Sequence, residues 1–173
     1  PNNGSIVDGV LVENCKAYDN LHNAGIGVMY QSKNVTVKNC EAFNNGDRGI
    51  MVSGIQEKGY PENIVFEKCT AHDNVSAGLS VINAYKVEVM NCHSYNNARG
   101  LVIGQIAEDV TVTHTLTNDN VSHGIEVRDS DNLKRCDRIR FVNVISKGNG
   151  GDGLRVQSAK NIRCSDSNIE KNV

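Results

Sequence analysis

The stretch NVTVKNCEAFNNGDRGIMV, residues 34–52, decides the fold because the chain repeats its pattern along its whole length. Complete copies also occupy residues 10–28, 63–81, 86–103, 109–127 and 138–156, and a shortened copy covers residues 161–173. An asparagine stands five residues after the cysteine position of every copy, and a glycine follows soon after it in each complete copy. Self-similarity at a period of this size is typical of a solenoid.

Each copy contains two short segments in which apolar and polar residues alternate. In the second copy Val35, Val37, Cys40 and Ala42 form the inward set, and Thr36 points outward. A period of two over such short segments predicts strands rather than helices. Parallel strands need a connection, which the remainder of each coil supplies. The sequence therefore predicts an all-β parallel β-helix of about seven coils, each with three short strands.

The repeated asparagines and glycines are expected to form columns along the solenoid. Buried amides need hydrogen-bond partners, and stacked asparagines supply them to one another. The asparagine column comprises Asn20, Asn45, Asn74, Asn97, Asn120, Asn149 and Asn172. The glycines follow a tight corner, where either a positive φ or a close backbone approach requires them. They are Gly25, Gly49, Gly78, Gly100, Gly124 and Gly153.

Two further columns are expected from cysteines and aromatic residues. Four of the six cysteines, namely Cys15, Cys40, Cys69 and Cys92, share one slot, and their parallel side chains favour buried free thiols over disulfides. Three residues after each of these cysteines stands an outward ring. These rings, Tyr18, Phe43, His72 and Tyr95, either stack laterally on the sheet or offer a surface to sugars or to neighbouring subunits.

Composition gives residues 1–173 as a single domain with a net charge of −2 and only 5% aromatic residues. This charge indicates no nucleic-acid partner. The absence of an 18-residue apolar run predicts no membrane-spanning helix. Because neither end shows an obvious cap, we expect the chain to be a fragment of a longer protein.

Two copies carry insertions, at residues 53–62 and 129–137, directly after the glycine strand. Insertions of a solenoid lie on one face, often the binding face, so both are expected at the same sheet edge, three coils apart. Asp129, Asp131 and Asp137 in the second insertion suit a hard cation such as Ca²⁺. A solvated polar loop without metal is the simpler interpretation.

The pattern V-x-V-x-N-C-x-A-x-x-N-x-x-x-G-[IL]-x-V resembles the right-handed parallel β-helix repeat of the pectate-lyase-like superfamily. It is particularly similar to the repeats of mannuronan epimerases and related polysaccharide lyases. The resemblance covers almost the whole chain and implies a right-handed helix; such repeats also build phage tailspikes. The epimerases carry an Asp-Pro-His motif, whereas neither Pro1 nor Pro61 precedes a histidine here. No catalytic residue is therefore carried over from that family.

Candidate catalytic residues come instead from the outward positions of the glycine strands and from the residues just before the glycines. The outward positions become charged in the last two complete coils, where His123 and Asp152 precede the glycines. The candidates are His123, Glu126, Arg128, Asp152 and Arg155. Proton removal beside a carboxylate needs a base and a cation that neutralises the carboxylate, and this set contains both. The alternative is that Glu126 and Arg155 form an ordinary ion pair between coils on a solvated face.

Arg48, Arg99 and Gln157 are the candidate substrate-binding residues, because they lie on the same face or on the turns that lead to it. Two functions follow. One is a lyase or epimerase that acts on an acidic polysaccharide such as a uronate polymer. The other is a non-catalytic glycan-binding or structural module of a tailspike or cell-surface protein, with a homotrimer expected in the tailspike case. Either function predicts an extracellular location or one on a cell or virion surface.

Overall fold

The computed structural model describes residues 6–129 and 136–173, which form strands and turns. No helix that could span a membrane occurs in these two ranges. In chain order the strands are β1 (Asp8–Glu13), β2 (Lys16–Tyr18), β3 (Ile26–Met29), β4 (Lys33–Lys38), β5 (Glu41–Phe43), β6 (Ile50–Ser53), β7 (Glu62–Glu67), β8 (Thr70–His72), β9 (Ala77–Ile82), β10 (Tyr85–Met90), β11 (His93–Tyr95), β12 (Arg99–Gly104), β13 (Glu108–Thr113), β14 (Leu116–Asn118), β15 (Ile125–Arg128), β16 (Cys136–Val142), β17 (Ile145–Lys147), β18 (Leu154–Val156), β19 (Ala159–Ser165) and β20 (Asn168–Glu170).

The strands stack into three parallel sheets. Sheet 1 has the order β1-β4-β7-β10-β13-β16-β19, sheet 2 the order β2-β5-β8-β11-β14-β17-β20, and sheet 3 the order β3-β6-β9-β12-β15-β18. Each strand pairs in register with the strand one coil away, as Val35 does with Ile64. An antiparallel bridge between Ile55 and Gly59 belongs to the first insertion, not to a repeat. The predicted parallel β-helix of seven coils is confirmed.

The core is a narrow column whose composition differs from sheet to sheet. Sheet 1 contributes large inward residues such as Phe66 and Phe141, both fully buried. Sheet 2 contributes only small ones, for example Ala71 and Ser94. The column needs few aromatic residues because each coil fills its own cross-section with a handful of branched or small side chains.

The asparagine column lies between sheets 2 and 3. Its buried amides form a ladder of hydrogen bonds along the solenoid, as predicted. Asn45, Asn74 and Asn97 are buried. The Asn74 amide donates to Oδ1 of Asn97 at 2.9 Å and to the Ala42 carbonyl at 3.0 Å. Its own Oδ1 accepts from the Asn45 side chain at 2.9 Å. Every polar atom of this buried amide is therefore bonded to a neighbouring coil.

The glycine column is explained by close approach rather than by a positive φ. A Cβ at Gly49 would lie 2.6 Å from the Gly78 carbonyl and 2.8 Å from Nδ2 of Asn74. The positive φ angles occur at the corners instead, on residues that our sequence analysis did not single out. One such corner column has φ between 47° and 55° and comprises Asn14, Asn39, Lys68, Asn91, His114, Asn143 and Asp166. Asn and Asp tolerate this conformation better than most residues.

The aromatic column stacks laterally and the cysteines are free, as predicted, but the predicted burial is wrong for Cys15 because no coil covers it among the described residues. Cys40, Cys69 and Cys92 are buried free thiols, and Cys15, in the first coil, is free but exposed. Rings stack face to face along sheet 2, with centroids 5.0 Å apart from Tyr18 to Phe43, 5.1 Å from Phe43 to His72 and 4.8 Å from His72 to Tyr95. Neighbouring rings of the stack therefore cover each other's faces, and the ring edges face the solvent.

Candidate functional site

The charged candidates come together on the outer side of sheet 3, where three strands align their outward positions. Val102 of β12 pairs with Glu126 of β15, and Glu126 pairs with Arg155 of β18. His123 and Asp152 lie on the turns that lead into β15 and β18. The parallel register thus places five charged or titratable side chains, separated by up to 32 residues in sequence, on two adjacent coils.

Glu126 is held by two arginines, and its expected pair with Arg155 does not form within the described part of the chain. Its Oε2 lies 2.9 Å from Nε of Arg99 and 3.7 Å from Nε of Arg128. The Glu126 side chain is only 6% exposed. Glu126 therefore ties coils 4 and 5 together, and ligands do not reach its carboxylate in this arrangement.

His123 is enclosed by groups of the following coil. Its Nδ1 accepts the backbone N–H of Asp152 at 3.0 Å and lies 3.5 Å from the Asp152 carboxylate. Its Nε2 lies 2.8 Å from Nη1 of Arg155. A neutral imidazole has one accepting nitrogen, so it satisfies one of these two donors. Nε2 becomes available to a substrate only when Arg155 turns away.

Arg155 is the cation of this cluster that has no carboxylate partner among the described residues; its contacts are with His123 and Gln157. The Gln157 amide, oriented to satisfy its neighbours, accepts from Nη2 of Arg155 at 2.7 Å and from Nε at 3.2 Å. The guanidinium is thus positioned by the His123 ring and the Gln157 amide, and no carboxylate of the described residues offsets its positive charge. Such a forked cation is suited to a carboxylate ligand.

Arg48 lies apart from this cluster. It is on the second coil, where Nη1 contacts Oδ2 of Asp47 at 2.8 Å and Sδ of Met51 at 3.6 Å. In the column of turn residues, Ala77 separates the coil of Arg48 from that of Arg99. Arg48 is therefore separated from the other candidate binding residues, and Arg48 and Arg99 both have acidic partners.

The centre of the outer face of sheet 3 is closed. Ser80, Val102 and Glu126 point outward by register yet are buried. The accessible groups lie at the rim, where Arg155 is half-buried, and Gln157 and Asp152 are exposed. A ligand therefore meets the edge of coil 6 first.

The two insertions follow β6 and β15, which lie three coils apart in sheet 3 as predicted. Residues 130–135, including Asp131, lie outside the described residues, so the calcium interpretation stays a prediction. In residues 6–129 and 136–173, no three His, Cys, Asp or Glu side chains group together so as to hold a metal ion.

One arrangement near the second insertion was missed by the sequence reasoning. Arg138, near the start of β16, contacts Asp109 through Nε at 2.6 Å, Asp137 at 2.7 Å and Glu108 at 3.0 Å. The alternation of charge between Asp109 and Arg138 at equivalent positions of neighbouring copies is the signal that would have found it. This clamp fixes the strand that follows the insertion.

A cavity of about 770 Å³ lies at the first coil and is lined mainly by apolar residues, among them Val10, Val12 and Ile26. None of the candidate residues lines this cavity. It is continuous with the apolar core, whereas the charged candidate residues of the cluster lie on the outer side of coils 4 to 6.

Comparison with solved structures shows what this chain resembles. The periplasmic alginate epimerase AlgG superposes with a TM-score of 0.82 at 12% identity, over 94% of this chain and 40% of the other. The A-module of the Azotobacter vinelandii mannuronan C-5 epimerase AlgE4 gives 0.80 at 22% identity, over 92% and 41%. Pectate lyase Pel9A gives 0.64 at 19% identity, over 96% and 52%. The chain thus spans about half or less of each of these proteins.

A comparison with curated proteins found no significant sequence match. The family model described as "Right handed beta helix region" matches residues 12–137, which cover most of the repeats. This match and the shared architecture confirm the predicted right-handed helix and the resemblance to the pectate-lyase-like fold. The chain belongs to the right-handed β-helix family.

Proposed function

We propose that this chain is the β-helical part of a polysaccharide-active protein, a lyase or epimerase that acts on an acidic glycan such as a uronate polymer. The observation that carries the proposal is the Arg155 guanidinium, which is held by His123 and Gln157 and has no carboxylate partner among the described residues. The fold, shared with alginate epimerases and a pectate lyase, supports the same substrate class.

Binding begins at the rim of coil 6 in this proposal. A glycan carboxylate approaches Arg155, whose fork makes two parallel hydrogen bonds to the two carboxylate oxygens. Arg128, less tightly paired with Glu126 at 3.7 Å, supplies a second positive charge one coil away. Because the protein carries a net charge of −2, long-range attraction is weak and local pairing must supply the affinity.

Proton transfer follows from the same movement. When Arg155 turns towards the substrate, it releases Nε2 of His123, 2.8 Å away. Nε2 is the base only in the tautomer with the proton on Nδ1. In this proposal the backbone N–H of Asp152, which Nδ1 accepts at 3.0 Å in the structure, therefore turns away, and Nδ1–H donates to the Asp152 carboxylate, 3.5 Å from it. The base then lies beside a neutralised carboxylate, which is the arrangement that removal of an adjacent C–H proton requires.

The alternative, a non-catalytic glycan-binding or structural module, is favoured by a different observation. Both ring nitrogens of His123 already have partners, and Glu126 is buried. In this alternative Arg155 and Gln157 bind the glycan and no proton is transferred. Both functions place the protein outside the cytoplasm or on a cell or virion surface, where such polymers occur.

The experiment measures binding and turnover on alginate, pectate and glycosaminoglycans. Absorbance of the unsaturated product reports lyase activity, and proton exchange from water reports epimerase activity. Arg155→Ala is expected to abolish binding, Arg128→Ala to weaken it, and Arg163→Ala, an exposed arginine of sheet 1, to leave it unchanged. Binding that Arg155→Ala abolishes, with no turnover of any polymer, selects the binding module. Binding that is equal in all three variants overturns both forms of the proposal.

A further inference from the structure

A second periodicity, two coils long, lies at the corner that follows sheet 2. We call the residues directly after the ladder asparagines the corner stripe. In the first six coils they are Leu21, Gly46, Val75, Ala98, Val121 and Gly150. Val173, 95% exposed, holds the position in coil 7 and lies beyond the six coils paired below. Large aliphatic residues occupy the odd coils, and glycine or alanine occupies the even coils. At about 4.8 Å per coil, equivalent members lie about 10 Å apart.

The aliphatic members of the corner stripe are exposed to an unusual degree. Leu21 is 80% exposed, Val75 70% and Val121 78%. Nothing in the core requires a large apolar side chain there, since these residues contribute little to packing. Single exposed aliphatic residues are ordinary on a protein surface. What points to an interaction surface here is their recurrence at one position of alternate coils.

Two small members of the corner stripe, Gly46 and Gly150, are required by the fold, whereas the third, Ala98, carries a Cβ. A Cβ at Gly46 would collide with the carbonyl group of Leu21, and a Cβ at Gly150 would collide with that of Val121. The even coils therefore present depressions between the aliphatic side chains of the odd coils. The stripe is a row of three projections that alternates with three depressions at the same spacing.

Charge alternates with the same period. The residue before each ladder asparagine is acidic in coils 1, 3 and 5 and uncharged in coils 2, 4 and 6. In chain order these residues are Asp19, Asn44, Asp73, Asn96, Asp119 and Gly148. In coil 7 the position holds Lys171, so the alternation is confined to the first six coils. Each projection is thus accompanied by a carboxylate, and each depression by a neutral group.

From this pattern we propose that the corner stripe is the interface with a second copy of this chain, related by a two-fold axis perpendicular to the solenoid. Reversing the order of six coils pairs coil 1 with 6, 3 with 4, and 5 with 2. Every projection then meets a depression of the partner copy. Leu21 fits over Gly150, Val75 over Ala98, and Val121 over Gly46.

The same two-fold operation also keeps the carboxylates of the two copies apart. Asp19 faces the position of Gly148, Asp73 that of Asn96, and Asp119 that of Asn44, so no two carboxylates oppose each other. A two-fold interface must be self-complementary in this sense. A parallel arrangement in the same register would instead place projection on projection and carboxylate on carboxylate.

The contact is one corner wide, so it belongs to the small, weak class of interfaces. We therefore expect a dimer that forms with rising concentration, and sedimentation velocity from about 0.01 mM to about 1 mM covers the range of weak complexes. The double variant Val75→Ser/Val121→Ser should remove the dimer over that whole range. Leu11→Ser, an exposed aliphatic residue on sheet 1, is the matched control and should leave it unchanged.

The register is tested by cross-linking in a Cys15→Ser/Cys164→Ser background, which removes the two exposed thiols. A mixture of the Val75→Cys and Ala98→Cys chains should yield disulfide-linked heterodimers well in excess of either homodimer. A monomer at all concentrations, a trimer, a dimer that survives Val75→Ser/Val121→Ser, or dominant Val75→Cys homodimers would each overturn the proposal. Circular dichroism of every variant confirms that the β-helix is intact.

Discussion

Arg99 and Glu126 form a buried ion pair between coils 4 and 5, with Nε and Oε2 2.9 Å apart. Arg99 is the first residue of β12, and Glu126 lies inside β15. The pair therefore couples the start of one strand to the neighbouring strand that carries part of the candidate site. Arg128, 3.7 Å from the same oxygen, completes a group of two cations around one carboxylate.

Arg99→Ala is expected to destabilise the fold, because it leaves the Glu126 carboxylate buried with one distant partner. Because the Arg99 side chain is 32% exposed and the contact is not an aligned hydrogen bond, the expected cost is about 1–3 kcal/mol in free energy of unfolding. Adding Glu126→Gln should recover most of this loss, since the buried charge is then gone. Urea denaturation of the four proteins of this cycle measures the coupling. Arg48→Ala, which removes a more exposed pair with Asp47, is the control, with an expected cost of about 0.5 kcal/mol.

Asn74→Ala is expected to lower the free energy of unfolding by about 1–3 kcal/mol, because it leaves buried partners on two coils without a hydrogen bond. Asn168→Ala, at an exposed position of β20, should change it little. Chemical denaturation followed by circular dichroism gives both values. Equal stabilities of the two variants would contradict a structural role for the ladder.

Gly49→Ala introduces a Cβ 2.6 Å from the Gly78 carbonyl oxygen. Because that neighbour is backbone and cannot swing aside, we expect a loss of about 1–3 kcal/mol by overpacking. Gly27→Ala, where the nearest atom would be 3.8 Å away, is the control and should be close to neutral. Thermal melting of both variants makes the comparison. A neutral Gly49→Ala would show that close approach does not explain the column.

Arg138→Ala should reduce stability in a pH-dependent way. Arg138 lowers the pKa of Asp109 below its usual value, chiefly through their hydrogen bond. A lowered pKa in the folded state adds stability above the unfolded pKa of about 3.9, and this stability is lost as pH falls through the folded value. The melting temperatures of wild type and Arg138→Ala should therefore differ at neutral pH and converge in strong acid. A difference that persists in acid would point to packing instead; Arg163→Ala is the control.

Thiol reactivity should follow burial. Cys15 and Cys164 are exposed, whereas Cys40, Cys69, Cys92 and Cys136 are buried. Burial also raises the pKa of Cys136 to about 11, which keeps it protonated and unreactive near neutral pH. A thiol reagent should therefore label two cysteines in the native protein and all six after denaturation without reductant. Fewer than six in the denatured protein would reveal a disulfide.

The sequence by itself determined the architecture, the inward and outward sets, and the columns. Val35, Cys40, Asn45 and Gly49 recur at fixed offsets, and a stacked solenoid places equal offsets above one another. The place of a residue within its repeat therefore also gives its position in the folded protein. That is why the ladder around Asn74 and the aromatic stack were predictable without a structure.

Only the tertiary structure decided which neighbouring groups each charged side chain contacts. Glu126 pairs with Arg99 of the preceding coil rather than with Arg155, although Arg155 is its partner in the strand register. The direction and burial of a long side chain depend on the side chains that pack over the sheet. The repeat pattern does not specify those side chains. For the same reason the engagement of His123 by Asp152 and Arg155 could not be deduced from their spacing in the sequence.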